Sequence, residues 1–195
     1  FDCCLFFIKN VSLLFAMNFG YLSSTQLDLF QKIHYKTVYN KKRKGRFYSK
    51  EFGERDKDKS IYNIIDPILK KGINILTRLG ITDFDPKHFS MEFHQRNCGF
   101  ESKKHELFVW HQDDYGPSNY KVYTVLFYLR KDNTIVGGDF EYKITNSINE
   151  TIKYKHQVKA GDILSFRGDL WHMPEPTSGF GCRDIIVLCI KRLNR

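Results

Sequence analysis

The 195-residue sequence is 42% hydrophobic and 15% aromatic, enough to bury the core of one domain, which argues against disorder. No stretch reaches the roughly 20 apolar residues that a membrane span needs, and the longest candidate, Leu5–Ala16, is interrupted by Lys9, Asn10 and Ser12. The net charge of +9 is uneven: Lys32 to Lys59 holds eleven Lys or Arg against four acids.

Leu5–Ala16 lacks the basic start and small-residue exit of a secretory signal. The sequence begins with Phe1, so Met17 is the expected start and residues 1–16 are expected to be a non-native or poorly ordered extension. Ser23-Ser24-Thr25 then caps an amphipathic helix through Leu27, Leu29, Phe30 and Ile33 to about His34. The basic stretch to Lys59 reads as a loop, with Lys41–Arg46 its densest part. Such a run suits a solvated loop or an electrostatic footprint for nucleic acid, and it identifies no substrate. Ile61 to Leu79 carries apolar residues at helical spacing and closes at Gly80, with Pro67 marking a junction between two segments.

From residue 88 the pattern changes to short β-like runs. Phe89–His94, Leu107–Trp110, Tyr120–Leu129, Asp139–Ile144, Thr151–Val158, Ile163–Phe166 and Ile185–Ile190 are rich in β-branched and aromatic residues. Turn residues such as Gly137-Gly138 and Gly161-Asp162 separate them. Seven or eight short strands without intervening helices predict a mainly β fold, an antiparallel sandwich or jelly roll. Two N-terminal helices over residues 17–87 support a core at 88–195, in one domain.

Five cysteines (Cys3, Cys4, Cys98, Cys182 and Cys189) form no CxxC pair. The odd number and the missing pair argue against a disulfide framework and a zinc ribbon and predict reduced thiols, in the cytoplasm or nucleus.

His111-Gln112-Asp113 follows a strand, and residues two apart in extended geometry share a face. The imidazole and carboxylate therefore reach one metal together. His172 in Leu170-Trp171-His172-Met173-Pro174 is the natural third ligand. Two histidines and one carboxylate form the facial triad of non-haem iron(II) oxygenases, which leaves three positions open. Arg183, eleven residues after His172, begins a strand from which its guanidinium can fork onto a dicarboxylic acid. Tyr128 shares parity with Thr124 and Leu126 and points to the same end of the cavity. Alone, each residue has an ordinary reading: a chance HxD, a hydrogen-bonded histidine, an arginine paired with Asp184, a core tyrosine. Their joint order and spacing carry the inference. His34, His88, His94, His105 and His156 lack a companion at ligand spacing, and Asp114 is the alternative to Asp113.

The segment from about Phe89 to Lys191 resembles the double-stranded β-helix (jelly-roll) core of the 2-oxoglutarate/iron(II) dioxygenase superfamily, and within it the prolyl-hydroxylase-like branch. Trp110-His111-Gln112-Asp113 matches the proximal ligand motif, and Tyr123–Leu129 resembles the next core strand. Gly137-Gly138-Asp139-Phe140 resembles the Gly-Gly-acidic turn, and Gly161–Phe166 resembles the strand leading to the distal histidine.

The resemblance implies that His111, Asp113 and His172 bind Fe(II), and that Arg183 and Tyr128 bind the distal carboxylate of the co-substrate 2-oxoglutarate, with ascorbate a candidate reductant. It implies hydroxylation of a C–H bond in a protein side chain or small molecule, with release of succinate and carbon dioxide. A nucleic-acid-directed oxygenase acting through Lys41–Arg46 and an inactive metal-binding module are the alternatives. Departures narrow the branch: collagen-type relatives have lysine where Arg183 stands, and Ile185 removes the Arg-x-Ser anchor of plant-type members. Cys189 occupies the position of a second arginine in nucleic-acid demethylases, which counts against them. Gln95, Arg96, Asn97, Tyr115 and Trp171 are the candidate substrate contacts near the mouth.

Overall fold

The computed structural model describes residues 17–40, 45–48, 60–98, 109–115, 121–145 and 148–193. The first elements are β1 (Asn18–Tyr21), α1 (Ser24–Asn40), β2 (Gly45–Tyr48), α2 (Ser60–Arg78) and β3 (Phe84–Cys98). The predicted cap falls on Ser23: its hydroxyl accepts from Gln26 N–H and its own N–H donates to Gln26 Oε1, both at 3.2 Å. This reciprocal box satisfies two of the amides a helix start leaves open. α1 continues six residues beyond the predicted end at His34, burying Phe30, Ile33 and Thr37.

α2 is one helix, not two segments meeting at Pro67. Proline removes one backbone hydrogen bond, but Ile65, Ile68 and Leu76 are all buried along one face, so packing holds the helix through it. Gly80, at φ +75°, ends it as predicted, with Ile81 N–H donating to Leu76 carbonyl at 3.1 Å.

The remaining strands are β4 (Val122–Lys131), β5 (Ile135–Gly137), β6 (Phe140–Thr145), β7 (Thr151–His156), β8 (Asp162–Arg167), β9 (Trp171–Pro174), β10 (Thr177–Gly179) and β11 (Gly181–Arg192). A major sheet runs β1-β8-β4-β11-β3-β2, a minor sheet β7-β6-β9, and β10 pairs with β5. This is a double-stranded β-helix with antiparallel pairing throughout.

Two strands lie where the sequence signals none: β1, just before the first helix, adds an edge to β8, and β2, inside the basic run read as a loop, adds the other to β3. The boundary expected at residue 88 falls within β3, so the support and the core share one sheet.

Both faces of the major sheet are buried. Tyr123, Val125, Phe127 and Leu129 of β4 join Ile186, Leu188 and Ile190 of β11 beneath the helices. Leu126 and Tyr128 join Ile185, Leu164, Phe166 and Phe140 between the sheets. This two-sided burial explains why β4 is almost continuously apolar. It also puts every second residue of β4 and β11 into the space between the sheets.

Candidate active site

His172 lies on β9 and is 5% exposed. His111 forms an isolated antiparallel bridge with it, each backbone N–H donating to the other's carbonyl at 3.0 Å. Asp113 begins a single 3-10 turn, Asp113–Tyr115, rather than continuing in extended geometry. The cause is non-local: Gly168 carbonyl accepts the N–H groups of both Asp113 (2.7 Å) and Asp114 (3.2 Å) and curls the chain. The HxD pair still converges, because the turn swings the carboxylate toward the imidazoles. Residues 107 and 108 of the expected preceding strand lie outside the described residues, and Val109 and Trp110 form no strand.

The ligand atoms of His111, Asp113 and His172 all lie within 4.8 Å of one another, and among the described residues this is the single group with that property. Asp113 Oδ1 is 3.8 Å from His111 Nε2, and Oδ2 is 3.7 Å from His172 Nε2. Each histidine donates Nδ1–H to the carbonyl two residues earlier, Val109 and Leu170, both at 2.9 Å. That fixes the tautomer and turns the Nε2 lone pair toward Asp113, as metal-ligating histidines require. Burial lowers the His172 pKa below its ordinary value, helped by His111 and opposed by Asp113. The imidazole is therefore held neutral, the form that binds a metal. These donors fit a divalent transition metal.

Arg183, 1% exposed, is among the largest fully buried side chains. It shares the inward face of β11 with Ile185, and its Nη1 donates to Gly138 carbonyl. Gly137 and Gly138 have φ of +78° and +74°, and a Cβ on Gly138 would lie 3.1 Å from Arg183 Nη1. The Gly-Gly turn thus serves a close approach to the arginine. Tyr128, 1% exposed, lies on the same interior layer and pairs with Ile185 across β4 and β11.

No protein-family model matches the sequence, and no curated protein matches it. Solved structures do. A 2OG-Fe(II) oxygenase family oxidoreductase from Burkholderia pseudomallei aligns with TM-score 0.62 at 12% identity, over 92% of this chain and 85% of that one. A non-heme alpha-ketoglutarate-dependent carbocyclase from nogalamycin biosynthesis, SnoK, aligns with TM-score 0.64 at 12% identity, over 92% and 81%. A prolyl-4-hydroxylase from Pseudomonas putida aligns with TM-score 0.58 at 11% identity, over 91% and 87%. The chain has the fold of the 2OG-Fe(II) oxygenases.

Within this fold, sequence reasoning overlooked the groups that brace the triad. Thr124, fully buried, donates to Asp113 Oδ2 at 2.6 Å. Its parity with Tyr128 was the available signal. Asp114 stands outside the group that His111, Asp113 and His172 form: its Oδ1 accepts Val122 N–H at 2.9 Å, and Gly168 N–H donates to Val122 carbonyl at 2.8 Å, which locks the turn to β4.

The expected substrate contacts separate. Trp171 is opposite Lys143 on the outer face of the minor sheet, 46% exposed and turned away from the His111, Asp113 and His172 group. Gln95 lines a cavity of about 460 Å3 with His34 and Asp184 on the helix side of the major sheet. The side chains of Arg96, Asn97 and Tyr115 lie outside the described residues, as do residues 41–44 of the basic run. Among the described residues, no helix is long and apolar enough to cross a membrane.

Proposed function

We propose that this protein is an iron(II)- and 2-oxoglutarate-dependent dioxygenase of the prolyl-hydroxylase-like type. It hydroxylates a C–H bond of a protein side chain or small molecule and releases succinate and carbon dioxide. The observation that carries this reading is the convergence of His111 Nε2, His172 Nε2 and the Asp113 carboxylate, with both Nδ1 atoms tied to backbone carbonyls. When bound, iron(II) and 2-oxoglutarate supply the oxygen activation that side chains lack.

The chain's own residues orient and exclude. His111, Asp113 and His172 would hold the metal, and three protein ligands would leave positions for co-substrate and oxygen. Arg183 is buried with its Nη1 donating to Gly138 carbonyl, and its planar fork is suited to a bidentate grip on the distal carboxylate. Tyr128 supplies a hydroxyl at that end. Phe140 stacks on His172 with ring centroids 5.4 Å apart, and Phe166 lies 4.8 Å from the same ring, so apolar walls keep water from the buried ligand.

The test is spectroscopic. Anaerobic protein mixed with iron(II) and 2-oxoglutarate gives a visible metal-to-ligand charge-transfer band, and air then releases succinate; His172→Ala gives neither. Wild-type protein with no band and no succinate overturns the reading.

A further inference from the structure

The three members of the triad are braced differently. Phe140 and Phe166 wall the His172 ring, and the Thr124 hydroxyl holds the Asp113 carboxylate. His111 is the most open of the three, with its side chain 42% exposed against 16% for Asp113 and 6% for His172. Its ring donates to Val109 carbonyl, within its own segment, which sets the ring against that segment but not the segment against the fold.

Downstream of His111 the chain is anchored: Gln112 Nε2 donates to Asp169 carbonyl, and the Asp113 and Asp114 amides donate to Gly168 carbonyl. Upstream, among the described residues, stand only the exposed Val109 and then Trp110. The Trp110 ring lies on the outer face of the minor sheet, where Lys143 Nζ sits 3.8 Å and Lys153 Nζ 5.9 Å from its centroid.

The two lysines oppose each other directly across β6 and β7. Like charges so placed repel, and the electron-rich face of an indole offsets that repulsion. Register explains the reach. Lys143 is opposite Trp171, the neighbour of His172, so its side chain crosses β9 to meet the indole. The outer face thus joins β6 to the His111 segment, while on the inner face the His111 and His172 rings lie 4.3 Å apart. Neighbours on an extended segment project in opposite directions. A roll that lifts the indole off Lys143 therefore swings the imidazole out of the site.

We infer that the Lys143–Trp110 contact positions His111: holding the indole on the outer face keeps the imidazole turned inward, toward His172 and Asp113. This rests on the dioxygenase reading for the identity of the metal, but not for the placement of the ring.

Two readouts test the clamp. In the metal-free protein, nuclear Overhauser contacts between the imidazole protons of His111 and His172 report the inward position. Lys143→Met keeps the length of the side chain without its charge and should weaken those contacts, whereas Lys143→Arg should keep them. In a Co(II) titration, Lys143→Met should bind about two- to fivefold more weakly, the worth of one partly exposed cation–π contact. Trp110→Leu, which gives up both lysines, should bind about tenfold more weakly, and Lys143→Arg should match wild type. A merely structural role would lower the urea midpoint and leave the metal affinity of the folded protein unchanged. The clamp is overturned if Lys143→Met retains the ring contacts or wild-type Co(II) affinity, or if Lys143→Arg loses as much as Lys143→Met. Wild-type protein that takes up no Co(II) overturns the dioxygenase reading instead, and the ring contacts then decide the clamp by themselves.

Discussion

Thr124 donates its hydroxyl to Asp113 Oδ2 across 2.6 Å, binding the one carboxylate of the triad to the central strand of the major sheet. Asp113 stands in a turn whose backbone is held by Gly168, and this bond fixes the orientation of its side chain. Thr124→Val keeps the shape and removes the donor. Outer hydrogen bonds of this kind hold about 10–100-fold in metal affinity. A Co(II) titration should register that loss while circular dichroism stays unchanged, and equal affinity in the two proteins would remove Thr124 from the site.

The Gly-Gly turn and the arginine should fail together. Gly138→Ala places a Cβ 2.7 Å from Thr177 Cγ2 and 3.1 Å from Arg183 Nη1, at a φ of +74°. Backbone strain of this type costs about 1–3 kcal/mol, which urea denaturation would detect. The displaced guanidinium should also raise KM for 2-oxoglutarate. Arg183→Met should raise it more: truncating a buried, hydrogen-bonded charge partner costs about 2–5 kcal/mol, roughly thirtyfold or more. A 2-oxoglutarate KM unmoved by Arg183→Met would place the co-substrate elsewhere.

The legible parts of this protein are those where local pattern and tertiary position agree. Thr124, Leu126 and Tyr128 alternate against Val125, Phe127 and Leu129, and the sheet places the two sets on opposite faces. The convergence of His111, Asp113 and His172 was readable because HxD and a distal histidine keep their order whatever local geometry joins them. The turn at Asp113 was not readable, because its cause, the Gly168 carbonyl, lies 55 residues away. β9 and β10 are four and three residues long and contain Pro174 and Gly179, so no period could form. β2 lies in a lysine-rich run and is defined by its pairing with β3. The outward direction of Trp171 follows from its register opposite Lys143, which composition does not encode.

His34 and Asp184 should give stability a pH dependence away from the metal. Burial lowers the His34 pKa below its ordinary value, against the pull of Asp184 and the hydrogen bond to His94 carbonyl at 3.0 Å. The unfolded chain therefore takes up the His34 proton first, and stability falls as pH drops from 6.5 toward the folded pKa. Burial raises the Asp184 pKa. The folded state holds that proton more tightly, so this group works in the opposite direction, from its raised pKa down to 3.8. His34→Gln keeps a donor for His94 carbonyl and removes the titration. Urea midpoints at pH 7.5 and 5.5 should differ less in the variant than in the wild type; equal differences would show that His34 titrates alike in both states.

Asp139 should behave with the reverse sign. Burial works to raise its pKa, but the hydrogen bond from Lys131 at 2.6 Å, the Val158 N–H at 3.2 Å and Lys155 at 3.7 Å outweigh it and hold the carboxyl below its ordinary value. A depressed folded pKa contributes stability above 3.8 that is lost as pH falls through the folded value. Asp139→Asn should be less stable than wild type at pH 7, with the gap closing below about pH 4. Lys131→Met should lower stability at pH 7 by less than the roughly 3–5 kcal/mol of an isolated buried charge, because Lys155 still faces the carboxylate. A gap that stays constant from pH 7 to pH 3 would mean that Asp139 titrates alike in both states. The network also reaches Arg183: Asp139 follows Gly138, whose carbonyl accepts from Arg183, and its own carbonyl accepts Glu175 N–H at 2.8 Å just beyond β9. Asp139→Asn should therefore raise KM for 2-oxoglutarate at pH 7, while Thr124→Val lowers metal affinity.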